Sequence, residues 1–408
     1  MKYEQNMLDN KKKASEIVVS IVTIVLSLVI ICAIVIITVS TVKSNNKYKS
    51  GDLSSEMQRI EDAIKMVQEK YIEDVDTDKL IEGAISGIAK ATDDPYTRYM
   101  DQKELDDMLS TGGTEEYGGL GVHITYDSKT GGILVIGIMP NGPAEEADIK
   151  AGDVIIAVEN TLVTSDTYKD CVDALKGEEG TSVNLILNRD GKNIAKQVTR
   201  KKIKANNVES KILDGNIGYI KIWSFDTGIY EQFKAEYDKL KKNNINGLVI
   251  DVRNNPGGLV ADTIKILQLM MPKCDLLKIV YKDSSEKVYK CDGKNEINIP
   301  LVVLTNSRSA SASEILASAI KDSNKGIIIG NKTYGKGVIQ EVEQLDGNGA
   351  LSITVAKYYT ASGIEIHKNG IEPNISVDLP DDVKNDSMII LDKDTQLQRA
   401  IKYIKEGK

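Results

Sequence analysis

The run PLVVLTN (Pro300–Asn306) passes directly into SRSASASEILASAI (Ser307–Ile320), and how that junction is read decides the fold. The first segment is apolar and rich in branched residues, the pattern of a strand buried on both faces. In the second, Ala312, Ile315, Leu316, Ala319 and Ile320 share one helical face, so a helix should begin near Ser311. The same strand-then-loop grammar recurs on either side. GLVIDVR (Gly247–Arg253) leads through NNPGG into the helix-like LVADTIKILQLM, and GIIIGN (Gly326–Asn331) leads into NKTYGKG. Buried strands alternating with helices predict an α/β core with a partly parallel sheet. Functional loops in such sheets gather beyond the carboxyl ends of the strands, so NNPGG, SRSASAS and NKTYGKG mark a site.

Chemistry at that site has to come from a serine and something that activates it. Ser311-Ala-Ser-Glu314 matches the S-x-x-E capping box, which offers Ser311 a purely structural role. Its small neighbours would let a substrate approach closely, and backbone amides at a helix start can stabilise an oxyanion. A Ser-His-Asp arrangement would need His123 or His367, the chain's two histidines. The first falls in a β-rich stretch and the second in a polar turn, both expected at or near the surface. Lysine is the alternative base, because desolvation disfavours its charged form. Lys336, set between glycines after a buried strand, could bring its amine to the other loops. Gly330-x-x-x-x-Gly335-Lys336 also fits most of a phosphate-binding loop. Gly337 replaces the required Ser/Thr there, and the following VIQEVEQL reads as a strand where such a loop opens a helix. Ser284-x-x-Lys287 lacks an apolar helix to bury its lysine.

Around this core the rest of the chain falls into order. Ile17–Val42 runs 26 residues without a charge, long enough to cross a bilayer. Lys11, Lys12 and Lys13 precede it, which places residues 1–16 in the cytoplasm. A tether, 43–54, leads to a helical region at 55–116, where Ile60, Ile64, Val67, Leu80, Ile81 and Ile88 recur at helical spacing. From Tyr117 to Lys202 the period becomes strand-like (VHITYD, GILVIGI, DVIIAVEN, SVNLILNRDG), with one helix-like insert, TYKDCVDAL. The α/β core takes 203–380 and a C-terminal helical segment 381–408. A net charge of −8 gives a nucleic-acid partner no electrostatic support. No cluster has metal-ligand spacing and no cofactor motif survives inspection. Cys274 and Cys291 are near each other in sequence, and spacing alone leaves open whether they pair.

NSRSASASEILASAIKD, TYGKGVIQ and DVRNNPGGLV together resemble the C-terminal processing (tail-specific) peptidases, serine peptidases that use a Ser/Lys dyad. DDPYTRYM, YGGLGV and KYYTASG…GIEPNISV resemble further segments of that family, in the same order. The likeness implies Ser311 as nucleophile, Lys336 as general base, Gln340 orienting the lysine, and Gly257 with Ala312 as oxyanion donors, Gly258 being the alternative to Gly257. It implies that the β-rich module is a PDZ domain whose Gly118, Gly119, Leu120, Gly121 and Val122 receive a substrate's terminal carboxylate. The glycine-rich loop would present N–H groups and the peptide would add as a strand beside Val122–Thr125. The expected protein is a membrane-anchored, extracytoplasmic bacterial endopeptidase acting on proteins or peptides with free C-termini. It would be a homodimer through the Met57–Met108 region. A non-catalytic PDZ scaffold is the competing class.

Overall fold

The computed structural model describes residues 54–110, 116–127, 130–139, 141–204, 206–346, 348–380 and 393–407. The apolar run Ile17–Val42 lies outside them. Among the described residues no helix is long and apolar enough to cross a membrane.

Two compact units divide at Ala84. In the first, helix Ser54–Lys70 presents Ile60, Ile64 and Val67 to a cleft shared with Leu80 and Ala84 of the following helix. The second unit, from Ile85 on, carries the strand–helix alternation. Its central sheet runs Val208–Leu213, Ile217–Ile222, Gly247–Asp251, Leu301–Thr305, Ile327–Gly330, Ile375–Ser376 in spatial order. All neighbours are parallel except the first hairpin.

Both faces of this sheet are covered, which is why its strands read as unbroken apolar runs. Leu248, Ile250, Leu301 and Val303 point into the main core with helices Ile229–Lys242, Val260–Gln268 and Ala312–Asp322. Val249, Val302 and Leu304 point the other way, onto Leu397, Ala400 and Ile404 of helix Thr395–Glu406. Helix Ile229–Lys242 shows the local logic. Ile229, Phe233, Tyr237 and Leu240 make its buried stripe, and Lys239, Lys241 and Lys242 complement the dipole in its last turn.

An antiparallel sheet borders the same core: Arg98–Met100, Ala350–Tyr359, Lys273–Tyr281 and Glu286–Asp292 in order, with Val338–Gln344 also paired to Ala350–Tyr359. The 55–116 region is therefore not helical throughout. Arg98, Tyr99 and Met100 pair with Ser352, Leu351 and Ala350, a partnership no local periodicity encodes. Of the expected C-terminal helical segment, Thr395–Glu406 is a helix and 381–392 lies outside the described residues.

The β-rich module has its own sheet, Val122–Asp127, Gly132–Ile138, Val154–Val158, Ser182–Arg189, Lys192–Thr199 in order, and its own core around Ile133, Val135, Ile155, Leu185 and Leu187. Its ends are clamped by a ladder between Glu116–Gly119 and Lys201–Lys204.

Candidate active site

Gly247–Asp251, Leu301–Thr305 and Ile327–Gly330 are adjacent parallel strands, so their carboxyl ends deliver NNPGG, SRSASAS and NKTYGKG to one edge of the sheet. Hydrogen bonds then lace the loops together. Asn306 Nδ2 donates to Asn254 Oδ1 at 2.7 Å, and the Asn254 N–H donates to Asn306 Oδ1 at 2.9 Å. The Ala310 N–H reaches the Asn255 carbonyl, and the Tyr334 N–H reaches that of Ser309, both at 3.0 Å.

The three alternating serines separate by environment. Ser309 and Ser313 are buried, and their hydroxyls donate to the carbonyls of Val252 (2.8 Å) and Asn255 (3.0 Å). Ser311 is half-buried at the helix start, with φ 56° and ψ −116°. A capping serine ordinarily has extended backbone. Left-handed strain of this kind costs about 1–3 kcal/mol and concentrates at functional positions. The capping box expected from the sequence is formed, with Glu314 accepting from the Ser311 N–H at 2.8 Å, yet capping leaves the strain unexplained.

NNPGG approaches this serine closely. A Cβ on Gly257 would stand 2.6 Å from Ser311 Cβ and 3.0 Å from the Ala312 nitrogen, so no larger residue fits. The Gly257 N–H itself is already committed, donating to Asn255 Oδ1 at 2.8 Å.

Glu314 does more than cap. Its buried carboxylate accepts from the Ser311 N–H, from Thr333 Oγ1 (2.6 Å), from the Gly335 N–H (2.7 Å) and from the Lys336 N–H (2.9 Å). One side chain thus pins the serine and lysine backbones to each other. Burial pushes its carboxyl above the ordinary value, against these four donors. The Tyr358 hydroxyl, on a buried side chain, donates to the Lys336 carbonyl.

The Lys336 amine rests 4.6 Å over the Tyr96 ring. Burial lowers its pKa, with Asp94 opposing. Tyr96 comes from DDPYTRYM, and burial pushes its hydroxyl up to about 12. Gln340 donates from Nε2 to Thr354 Oγ1 at 3.1 Å. Among the described residues no hydrogen bond joins Lys336 Nζ to Ser311 or to Gln340. The three loops expected from the sequence do meet, while Tyr96, Tyr358 and the three further bonds of Glu314 were not anticipated. Only Glu314 carried a local signal, its place in the capping box.

Among the described residues neither histidine hydrogen-bonds to Ser311. His123, expected near the surface, is buried because its ring stacks on Trp223 at 4.4 Å, and burial pushes it down to about 4. His367 is half-buried, its ring centroid 6.3 Å from that of Tyr96 in an edge-on arrangement.

In the β-rich module Gly118 and Gly119 belong to the clamping ladder, not to an open loop. A Cβ on Gly118 would sit 2.0 Å from the Gly177 carbonyl oxygen, so its glycine serves close packing. The turn proper is Leu120–Gly121, whose carbonyls accept from Ala144 and Met139 at 2.8 Å each. Among the described residues, the next strand, Val122–Asp127, is the last of its sheet, paired with Gly132–Ile138. Val122, Ile124, Tyr168 and Val172 are half-buried apolar residues on the same core. That strand also meets the peptidase loops: Asp127 lies 3.7 Å from Arg308.

Comparison with known proteins gives three family matches: peptidase family S41 over residues 216–377, a PDZ domain over 134–189, and the N-terminal domain of the activating protease CtpB over 34–104. The carboxy-terminal processing protease CtpA of Bacillus subtilis is 35% identical over 350 residues, 85% of this chain and 73% of that protein. CtpB of the same organism is 33% identical over 334 residues, 80% of this chain and 68% of its own. Among solved structures, the photosystem II D1 C-terminal processing protease superposes with a TM-score of 0.60 at 32% identity, covering 82% of this chain and 97% of that one.

Proposed function

The chain belongs to peptidase family S41, the PDZ-containing carboxy-terminal processing serine proteases, and from that premise we propose that Ser311 and Lys336 are its catalytic dyad. The observation that carries the assignment is the strained, accessible backbone of Ser311, held by Glu314 against the lysine loop while Ser309 and Ser313 are buried in structural bonds. Neutral Lys336 takes the Ser311 proton as Oγ attacks the scissile carbonyl carbon. The ammonium then protonates the leaving amine, and the amine returns to deprotonate the water that hydrolyses the acyl ester. Ala312 N–H and a glycine of NNPGG receive the oxyanion. For Gly257 to serve, its N–H must leave Asn255; Gly258 is the other donor on this loop.

The PDZ module selects substrate ends. A peptide adds as a strand beside Val122–Thr125, its carboxylate meets the Leu120–Gly121–Val122 amides, and an apolar final side chain packs on Ile124, Tyr168 and Val172. The charge-free run Ile17–Val42, after three lysines, supports a single-pass anchor with the peptidase outside the cell. The domain limits are anchor 17–42, tether 43–54, N-terminal region 55–116 with Met57–Met108 as a dimerisation element, PDZ 117–202 and peptidase core 203–380.

The test uses two peptides differing only at the C-terminus, free acid and amide, with wild type and Ser311→Ala. The reading expects no cleavage by Ser311→Ala and at least about tenfold slower cleavage of the amide, from losing one or two charge-assisted bonds. Cleavage by a folded Ser311→Ala protein would remove the dyad, and equal rates for acid and amide would remove the PDZ role.

A further inference from the structure

The hairpin formed by Lys273–Tyr281 and Glu286–Asp292 holds a pair of thiols that peptide hydrolysis does not use. Cys274 and Cys291 are direct partners in its antiparallel register. Opposed residues in such a ladder have Cα atoms about 4.5 or 5.5 Å apart, according to the pair type. Both values fall inside the roughly 4.4–6.8 Å that a disulfide spans. The side chains also share a face: Cys291 is buried in the main core and Cys274 packs against that core while partly exposed. Cys171 is buried in the separate PDZ core.

We propose that Cys274 and Cys291 form a redox-modification site, closing into an intrachain disulfide by exchange with an external disulfide such as oxidised glutathione. Cys274, the accessible thiol, loses its proton and attacks one sulfur of the oxidant, breaking the oxidant's S–S bond and expelling a thiolate. Cys291, deprotonated in turn, attacks Cys274 Sγ in the mixed disulfide and expels the second thiolate. Two protein thiols are oxidised, one external disulfide is reduced to two thiols, and the cysteine protons end on the released thiolates. Burial and the neighbouring Cys291 push the Cys274 thiol up, so closure should quicken as pH rises through the alkaline range. The Cys291 thiol gives up its bond to the Met271 carbonyl, now 3.4 Å long. Glu286–Asp292 is the last strand of its sheet. Closure pins this edge strand to its neighbour at the open end of the hairpin and keeps its unpaired side from recruiting other chains.

The experiment incubates the purified full chain with oxidised glutathione, quenches in acid, alkylates in denaturant and digests. Cleavage at Lys273, Lys278, Lys290 and Lys294 puts the two cysteines on separate peptides. The expected product is a single cross-linked pair lighter than the two free peptides by two hydrogens. It should be the main form of both cysteines and disappear with dithiothreitol, while Cys171 is recovered alkylated. Cys291→Ser should leave Cys274 as its glutathione adduct. Recovery of both cysteines alkylated, as two separate glutathione adducts, or as a cross-link between two chains would overturn the proposal. The readout is independent of proteolysis, so its outcome does not depend on the dyad.

Discussion

The serine loop and the lysine loop meet at one carboxylate, but they are finished to different degrees. Around Ser311 the polar groups are already placed: Ser309 and Ser313 tie the loop to Val252 and Asn255, and the Ser311 backbone is held in its strained conformation. On the lysine side only the backbone is set, by Glu314 and Tyr358. The amine lies over Tyr96, Gln340 is bound to Thr354, and across the cleft the Gly257 N–H is held by Asn255. On the proposed dyad, the difference locates the reorganisation that substrate binding has to drive. It lies in two side chains and one amide of the site, with the serine loop left as it is.

The largest effect should come from Lys336→Ala. With no base on a serine of ordinary acidity, kcat/KM should fall by about 10⁴-fold or more while the melting temperature is kept. A folded variant retaining a tenth of wild-type activity would break the comparison, because the unfinished side of the site would then be dispensable.

Glu314→Gln comes next. A carboxamide replaces one acceptor oxygen with an NH₂ that faces backbone N–H donors, so at least one of the four bonds turns repulsive. Each charge-assisted bond is worth about 1.5–3 kcal/mol. Steady-state kinetics with calorimetry should show kcat lowered roughly 100-fold together with a lower melting temperature. Unchanged kcat would mean that the two loops do not need this clasp.

Tyr96 sharpens the comparison through pH. Only the neutral Lys336 amine can accept a proton, so activity rises as pH climbs through its depressed pKa and is lost below it. A ring under the amine favours the ammonium by about 0.5–2 kcal/mol. Tyr96→Leu should therefore move the acid limb of the kcat/KM profile down by roughly 0.4 to 1.5 units, and Tyr96→Phe should not. Identical limbs for wild type and the leucine variant would show that the ring does not seat the catalytic amine.

The smallest expected change in activity belongs to Ser309→Ala and Ser313→Ala. Ser313→Ala deletes the bond to Asn255, and Ser309→Ala deletes both the bond to Val252 and the one accepted from the Asn306 N–H; each lost bond should cost about 1–2 kcal/mol in denaturant titrations, with kcat/KM within roughly tenfold of wild type.

What the sequence could reveal follows from how far apart the partners lie. The strand–loop–helix units announce themselves within some twenty residues, so Gly247–Asp251, Leu301–Thr305 and Ile327–Gly330 and their loops were legible, as was the helix from Ala312. The PDZ strands were legible from alternation, and its helix from TYKDCVDAL. Tyr96 was not, because its position beside Lys336 depends on the pairing of Arg98–Met100 with a strand some 250 residues later. Arg253 meets Asp394, 141 residues away, in a buried pair at 2.8 Å that ties the strand leading into NNPGG to the C-terminal helix. No periodicity could anticipate that. Glu314 was read for its local bond and not for the three it makes to residues 333–336.

The most direct test of the dyad is to label the enzyme with a fluorophosphonate over a range of pH and map the modified residue by mass spectrometry. The account predicts one phosphonyl group, on Ser311, attached at a rate that increases with pH and absent from Lys336→Ala. Label on Ser309, Ser313 or another residue, or undiminished labelling of Lys336→Ala, would contradict it.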